Sequence, residues 1–331
     1  MSTTDLPLVI VSHQLPEAWL TSLEGACRFF VGPPTTAGEG LADELMAHLP
    51  KTAGLLTLLT VPVEESLLAQ APALQVVSNM AVGVDNIDLA ACTARGIPVG
   101  HTPGVLTEST ADLALALLLA VARRLPEASR DARAGKWTTW LPAGWLGADL
   151  HGATLGIVGL GKIGTAVAVR ARAFGLRLLY TNRSARPELE RQLGATRLPL
   201  DELLRQSDFV SLHVPLSAET RGLIDAASLR LMKPTAVLIN TARGPVIDSA
   251  ALERALREGW IAAAGLDVTD PEPLPADHPL YQLENCLILP HIGSATRNTR
   301  GQMAELACTN LLDGLAGRPL THCANPAVYD A

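Results

Sequence analysis

The sequence of 331 residues is short of three things that would tie it to a specialised setting. Its five cysteines, Cys27, Cys92, Cys286, Cys308 and Cys323, are odd in number and scattered, and none forms a C-x-x-C pair. Such a set gives no disulfide framework. It reads as reduced thiols in a cytoplasmic protein, with no metal site expected. Positive charge is also scarce: 26 Lys and Arg against 33 Asp and Glu leave a formal net charge of −7. Nucleic acids and anionic membranes need a basic face to displace counterions, so neither is an expected partner. A small anion must instead be captured by local cations. Finally, no apolar run is long. The stretch Leu113 to Ala122, between Asp112 and Arg123, is about half of the roughly 20 residues that cross a bilayer. It reads as a buried helix. The amino terminus, Met1 to Pro7, has no basic stretch, and the apolar run Leu8 to Val11 is too short for a signal peptide. That run reads as a first strand.

What is present is an ordinary globular balance, 48% hydrophobic and 18% charged, over a length that exceeds one core and calls for two domains. Short β-branched runs alternate with helical patterns, which predicts an α/β fold with parallel sheets covered on both faces. Candidate strands are Leu8–Val11, Gly54–Leu59, Leu74–Ser78 and Ile97–Val99, forming a small flavodoxin-like unit. The turn His101-Thr102-Pro103-Gly104 reads as a hinge. Thr107, Glu108 and Ser109 then offer an N-cap for an apolar helix from about Thr110 to Arg124. A second, larger set of strands follows: Leu155–Val158, Arg177–Thr181, Phe209–His213, Ala236–Asn240, Ala262–Asp267 and Leu287–Pro290. After His291, Met303, Leu306, Ala307, Cys308, Leu311 and Leu315 mark one amphipathic helix that stops at Gly317 and Pro319. The expected architecture is two doubly wound parallel-sheet domains, residues 1–100 with 293–331 and residues 101–292.

The string Leu155-Gly-Ile-Val-Gly159-Leu160-Gly161-Lys162-Ile163-Gly164 places G-x-G-x-x-G at a strand-to-helix turn. Gly159 permits the turn, Gly161 lets a pyrophosphate approach the backbone, and Gly164 lets helix and strand pack closely. The helix N-terminus supplies N–H groups and partial positive charge. About 20 residues on, an NAD site usually carries an acid that binds the adenine-side ribose. Here the strand ends in Thr181-Asn182-Arg183-Ser184-Ala185-Arg186, without a carboxylate. Arg183 and Ser184 suit a 2′-phosphate instead. NADPH is the expected cofactor, with NADH as the alternative.

Three strand candidates end in polar residues: Asn240-Thr241-Ala242-Arg243-Gly244, Gly265-Leu266-Asp267-Val268 leading to Pro271-Glu272-Pro273, and Pro290-His291-Ile292-Gly293. In a doubly wound sheet the carboxyl ends of strands face the ligand crevice, so Arg243, Asp267, Glu272 and His291 can converge there. A guanidinium such as Arg243 suits the carboxylate and carbonyl of a 2-oxo acid. His291 would protonate the oxygen that becomes an alkoxide when hydride arrives, and Glu272 would orient the ring. On this reading His291 is the only histidine at a strand end in a motif suited to proton transfer.

On these residues the chain resembles the D-isomer-specific 2-hydroxyacid dehydrogenase family from about Val76 to Val328. Val82-Gly83-Val84-Asp85, the glycine fingerprint, Thr-Ala-Arg-Gly, Gly-Leu-Asp-Val with Glu272, and Pro-His-Ile-Gly-Ser-Ala-Thr occur in the family's order. Within it the chain looks most like the glyoxylate/hydroxypyruvate reductases. The stretch His101 to Thr107, Asp270-Pro-Glu-Pro-Leu-Pro and the tryptophan-rich segment Trp137 to Trp145 carry that likeness. The resemblance implies a flavodoxin-like substrate domain, a Rossmann nucleotide-binding domain and a catalytic triad of Arg243, Glu272 and His291. It also implies that backbone N–H groups at Val82 and Gly83 bind the substrate carboxylate and that Asp267 meets the nicotinamide amide. Pro215, Thr241 and Gly293 would line the cofactor, and the protein would be a homodimer in which Trp145 walls the neighbouring subunit's pocket. Two other readings stay open on motifs: a nucleotide-sensing corepressor, and a reductase of a larger oxo acid such as 2-ketogluconate. Phosphoglycerate dehydrogenase is disfavoured, because a chain ending at Ala331 leaves no room for an appended regulatory domain.

Overall fold

The computed structural model describes residues 6–34 and 40–330, which form two compact units. One comprises the described residues up to Leu106 together with those from Ala295 on; the other is Thr107–Ser294. The sequence reading sets its boundaries a few residues away, after 100 and before 293. Residues 1–5, read above for their lack of basic charge, lie outside the described residues.

The first unit is a five-stranded parallel sheet of β1 (Leu8–Val11), β2 (Arg28–Val31), β3 (Gly54–Thr57), β4 (Val76–Asn79) and β5 (Val99–Gly100). The order β2-β1-β3-β4-β5 is that of flavodoxin-like sheets. β1, β3 and β4 are buried almost throughout because both faces are covered. The helix Arg297–Leu315, capped by Thr296 Oγ1 accepting from the Thr299 N–H at 3.1 Å, packs on β3 and β4. It buries Met303, Ala307, Cys308 and Leu311, whereas Leu306 and Leu315 are half-buried. The chain then returns to β5, where the Ala324 N–H donates to Val99 O at 2.7 Å and Asn325 Oδ1 accepts from the Val99 N–H at 2.8 Å.

The second unit holds seven parallel strands: β6 (Thr154–Val158), β7 (Arg177–Thr181), β8 (Thr196–Arg197), β9 (Phe209–Leu212), β10 (Val237–Asn240), β11 (Ala263–Leu266) and β12 (Cys286–Ile288). Their order is β12-β11-β10-β9-β6-β7-β8. The chain leaves β6 for β7 on one side and resumes at β9 on the other, so a topological switch point lies between β6 and β9. The apolar helix spans Thr107–Ala122 and packs on β10, β11 and the helix Lys162–Ala173.

Three expectations change. Thr107, Glu108 and Ser109 form the first turn of the apolar helix rather than a cap before it. That helix ends at Ala122, and Arg124 turns left-handed (φ 51°) to start a separate helix, Leu125–Arg133. Strands β2 and β8 had no counterpart in the sequence reading. Both lie at sheet edges, mostly exposed and short: Phe29-Phe30-Val31 is the one apolar run in β2, and β8 is only Thr196-Arg197. All five cysteines are free thiols. Among the described residues no helix is long and apolar enough to cross a membrane.

Candidate active site

β6 ends at Val158, and the chain reverses at Gly159 with φ 99°, a conformation that side chains rarely adopt. A Cβ at Gly159 would sit 2.8 Å from His213 O, and one at Gly164 would sit 2.2 Å from Gly159 O. The turn and the following helix are therefore packed backbone to backbone. Gly161 differs: a Cβ there would meet nothing within 4 Å. Gly161 is the N-cap of the helix Lys162–Ala173. The N–H of Gly159 donates to Thr181 O at 3.0 Å and that of Leu160 to Asn182 Oδ1 at 2.7 Å. Those of Gly161, Lys162 and Ile163 have no protein partner among the described residues. Open space over unpaired donors at the positive end of a helix suits a diphosphate. Beyond β9 and β10, His213 Nδ1 and Thr241 Oγ1 are buried without partners in this chain. These residues fit a dinucleotide, whose polar groups would supply what the chain lacks.

The loop after β7 is tied in from three directions. The Tyr180 hydroxyl accepts from the Arg186 N–H at 2.8 Å and donates to Glu190 Oε1 at 2.5 Å. Asn182 Oδ1 takes the Leu160 N–H, which links this loop to the glycine turn. Arg197 donates through one nitrogen to the carbonyls of Asn182 and Arg183, each at 2.9 Å. Sequence reasoning missed Arg197, which adds a guanidinium beside exposed Arg183, Ser184 and Arg186.

Beyond the carboxyl ends of three adjacent strands, β10, β11 and β12, stand Arg243, Glu272 and His291. Arg243 is half-buried; its Nη1 donates to Ala242 O at 2.8 Å, and its carbonyl accepts from Asn240 Nδ2 at 2.8 Å. Gly244 follows because the loop leaving β11 crosses it: a Cβ there would lie 1.8 Å from Thr269 O. That loop leads to Glu272, whose Oε2 accepts from the Thr269 N–H at 3.2 Å. His291 Nδ1 and Glu272 Oε1 are 2.5 Å apart. A carboxylate can only accept, so Nδ1 carries the proton, and in the neutral ring Nε2 is the free base. His291 has φ 53°, an uncommon conformation for a side chain of this size. The strain is over-determined by its neighbour: the His291 N–H donates to Asp267 O at 2.9 Å, while Asp267 Oδ1 and Oδ2 accept from Ile292 and Gly293 at 2.7 and 2.8 Å. Burial pushes the Asp267 carboxyl above its ordinary range, partly opposed by these two N–H donors. Asp267 thus anchors the loop that carries His291, a task its motif did not announce.

His291 is not alone at a strand end. His213 follows β9, but its Nε2 meets Ser211 Oγ at 2.8 Å and burial lowers its pKa to about 4. A ring that stays neutral at physiological pH and lacks a carboxylate is no proton donor. Pro215 lies just beyond, its carbonyl accepting from the Thr220 hydroxyl at 2.6 Å. In the first unit, Val82 and Gly83 lie half-buried in the turn after β4. Trp145, at φ 49°, is half-buried, with its Nε1 donating to Asp131 Oδ2 at 3.1 Å. Around it Trp137, Trp140 and Leu146 are 68%, 79% and 67% exposed, an apolar surface that stands out from the rest of the unit.

The family model for the D-isomer specific 2-hydroxyacid dehydrogenase NAD binding domain matches residues 115–293. The chain belongs to this family. The dehydrogenase is 48% identical over 311 residues to the glyoxylate reductase of Korarchaeum cryptofilum, a match covering 92% of each chain. A solved protein of Thermus thermophilus shares its fold with a TM-score of 0.89 and 47% identity, covering 96% of this chain and 99% of that one. The NADPH-dependent glyoxylate/hydroxypyruvate reductase of Sinorhizobium meliloti, solved with NADP and malonate, gives 0.84 and 33%, covering 97% of both. The dehydrogenase is therefore an oxidoreductase with an NAD binding domain.

Proposed function

We propose that this dehydrogenase reduces a short 2-oxo acid, glyoxylate or hydroxypyruvate, to the 2-hydroxy acid, the D isomer where C2 is chiral, using NADPH in preference to NADH. The observation that carries this reading is the 2.5 Å pairing of His291 with Glu272 beyond adjacent strand ends that also bear Arg243. Relatives named glyoxylate reductases, similar over nearly the whole chain, support the substrate class. They also favour an enzyme over a corepressor.

The nicotinamide dinucleotide, when bound, supplies the hydride. The N–H groups from Gly161 to Ile163 would hold its diphosphate, with Gly159 and Gly164 shaping the turn. Pro215, Thr241, Asp267 and Gly293 would line the cofactor. Arg243 binds the carboxylate and polarises the carbonyl, and in the first unit the N–H groups of Val82 and Gly83 suit a carboxylate. As the carbonyl carbon gains hydride, its oxygen takes the proton from His291 Nε2, so that carbonyl, hydride and proton balance to an alcohol, primary from glyoxylate and secondary from hydroxypyruvate. Glu272 stabilises the imidazolium that delivers this proton. The loop Thr181 to Ser184 offers a 2′-phosphate no carboxylate to repel it and exposes Arg183 beside Arg197, which supports NADPH. We assign the protein to the cytoplasm and read it as a homodimer in which the exposed tryptophan surface meets its counterpart and Trp145 borders the partner's pocket.

The test is to follow NADPH and NADH oxidation against glyoxylate, hydroxypyruvate, pyruvate and 2-ketogluconate. The reading expects the highest kcat/KM for the first two with NADPH. Turnover confined to 2-ketogluconate, or a preference for NADH, would contradict the corresponding part.

A further inference from the structure

The turn Met80-Ala81-Val82-Gly83-Val84 after β4 owes its orientation to three contacts made behind it. Ala81 O accepts from the Thr102 N–H at 2.9 Å, Val82 O from His101 Nδ1 at 3.0 Å, and Gly83 O from Asn79 Nδ2 at 2.9 Å. In a trans peptide the carbonyl and the next N–H point in opposite directions. Pinning three successive carbonyls to the body of the unit turns the N–H groups of Val82, Gly83 and Val84 away from it. None of the three has a protein partner among the described residues, and all three residues are half-exposed. The result is a short row of aligned donors, which suits a carboxylate.

Asn79 itself is fully buried, and its amide direction is set by a second amide. Asn86 Nδ2 donates to Leu58 O at 3.2 Å and Val61 O at 2.9 Å, so only its Oδ1 is left to face Asn79 Nδ2, at 3.2 Å. With both its acceptors on one side, Asn79 must present Nδ2 to the turn. The same arrangement strands Asn79 Oδ1, buried and without a partner in this chain. An orphaned acceptor costs stability. An aliphatic side chain would fill the position without that cost; what asparagine adds is the hold on Gly83.

We propose that Asn79, oriented by Asn86 and assisted by His101, is a positioning residue that presents the N–H groups of Val82 to Val84 to the carboxylate of the 2-oxo acid. The proposal rests on the reading that this turn binds that carboxylate. Because the donors are fixed before the anion arrives, binding carries no cost of ordering the turn. The pre-set donors favour an oxo acid over a carbonyl compound without a negative charge. They act on bound substrate and transition state alike, so their loss raises KM more than it lowers kcat.

The experiment compares glyoxylate with its uncharged methyl ester, using NADPH, in the wild type and in Asn79→Leu, which keeps the volume and removes the donor. The KM for glyoxylate should rise about tenfold, with kcat and the KM for NADPH within about twofold, while the ester is turned over as before. The preference for acid over ester then falls about tenfold, as one lost hydrogen bond to an anion-binding turn implies. His101→Phe, at a half-buried position, removes the Val82 contact alone and should shift the same ratio in the same direction even if Asn79→Leu does not fold. Equal losses on acid and ester, or an unchanged ratio in a folded variant, would overturn the proposal. A wild type that turns over no 2-oxo acid would overturn the functional reading beneath it.

Discussion

Glu272 holds His291 through a carboxylate that is itself held: Oε1 meets His291 Nδ1 at 2.5 Å while Oε2 accepts from the Thr269 N–H at 3.2 Å. Rotating the carboxylate away would forfeit both contacts. Thr269 is also the residue against which Gly244 packs, so the segment bearing Arg243 and the segment bearing Glu272 share one point of support. The same pairing decides which ring nitrogen faces the chemistry. Nδ1 keeps its proton, and Nε2 gains or loses one as the reaction runs forward or back.

Arg183 should set the cofactor preference. Replacing Arg183 with Ala should weaken kcat/KM with NADPH by about 1.5–3 kcal/mol, the scale of a charge-assisted hydrogen bond, and leave NADH kinetics nearly unchanged. Steady-state kinetics with both nucleotides at saturating oxo acid checks this. Equal effects on the two nucleotides would remove Arg183 from the 2′-phosphate site.

Trp145 gives a second test. On the dimer reading its indole fills space beyond the reacting carbon of the partner's substrate, which can supply ~1–3 kcal/mol of discrimination. Trp145→Ala should spare NADPH affinity and narrow the preference for glyoxylate and hydroxypyruvate over bulkier oxo acids. Because Trp145 Nε1 also bonds Asp131 within the chain, the oligomeric state of the variant must be measured alongside. Unchanged substrate ratios in a folded dimer would leave Trp145 a packing residue.

His213 makes stability depend on acid. Burial lowers its pKa from 6.5 to about 4 in the folded chain, so between these values the unfolded imidazole takes up a proton that the folded one does not. This contribution is fully present above pH 6.5 and is lost as the pH falls towards 4, amounting to at most ~3 kcal/mol. Denaturant melts of the ligand-free protein from pH 7 to pH 4 should show a shallower loss in His213→Gln than in the wild type. Identical slopes would mean that the ring is hydrated in the folded state.

Much of the fold was legible because parallel strands covered on both faces are written as unbroken apolar runs, as in Leu8–Val11, which appears at the bounds the sequence reading sets; Arg177–Thr181 does too, from its Leu-Leu-Tyr centre. Edge strands escape this rule. Arg28–Val31 keeps mostly exposed side chains, and Thr196–Arg197 is two residues long. At the site, Arg243, Glu272 and His291 sit in motifs with distinctive spacing, and the structure brings Glu272 and His291 into contact. Arg197 and Asn79 do not announce themselves. Arg197 acts on carbonyls 14 and 15 residues earlier in the chain, and Asn79 depends on an amide seven residues later, so only the folded backbone discloses either role. His213 was visible as a strand-end histidine. Its buried Nδ1 without a carboxylate partner, which separates it from His291, was not.

The central claim is that His291 delivers the proton to the reduced carbonyl. The most direct measurement is single-turnover reduction of glyoxylate by NADPH in the wild type and in His291→Gln, with NADPH binding measured separately by fluorescence. The account predicts a fall in the chemical step of roughly a hundredfold or more, the usual scale for general acid–base catalysis, with nucleotide affinity retained. Near-normal turnover in a folded, NADPH-binding His291→Gln variant would contradict it.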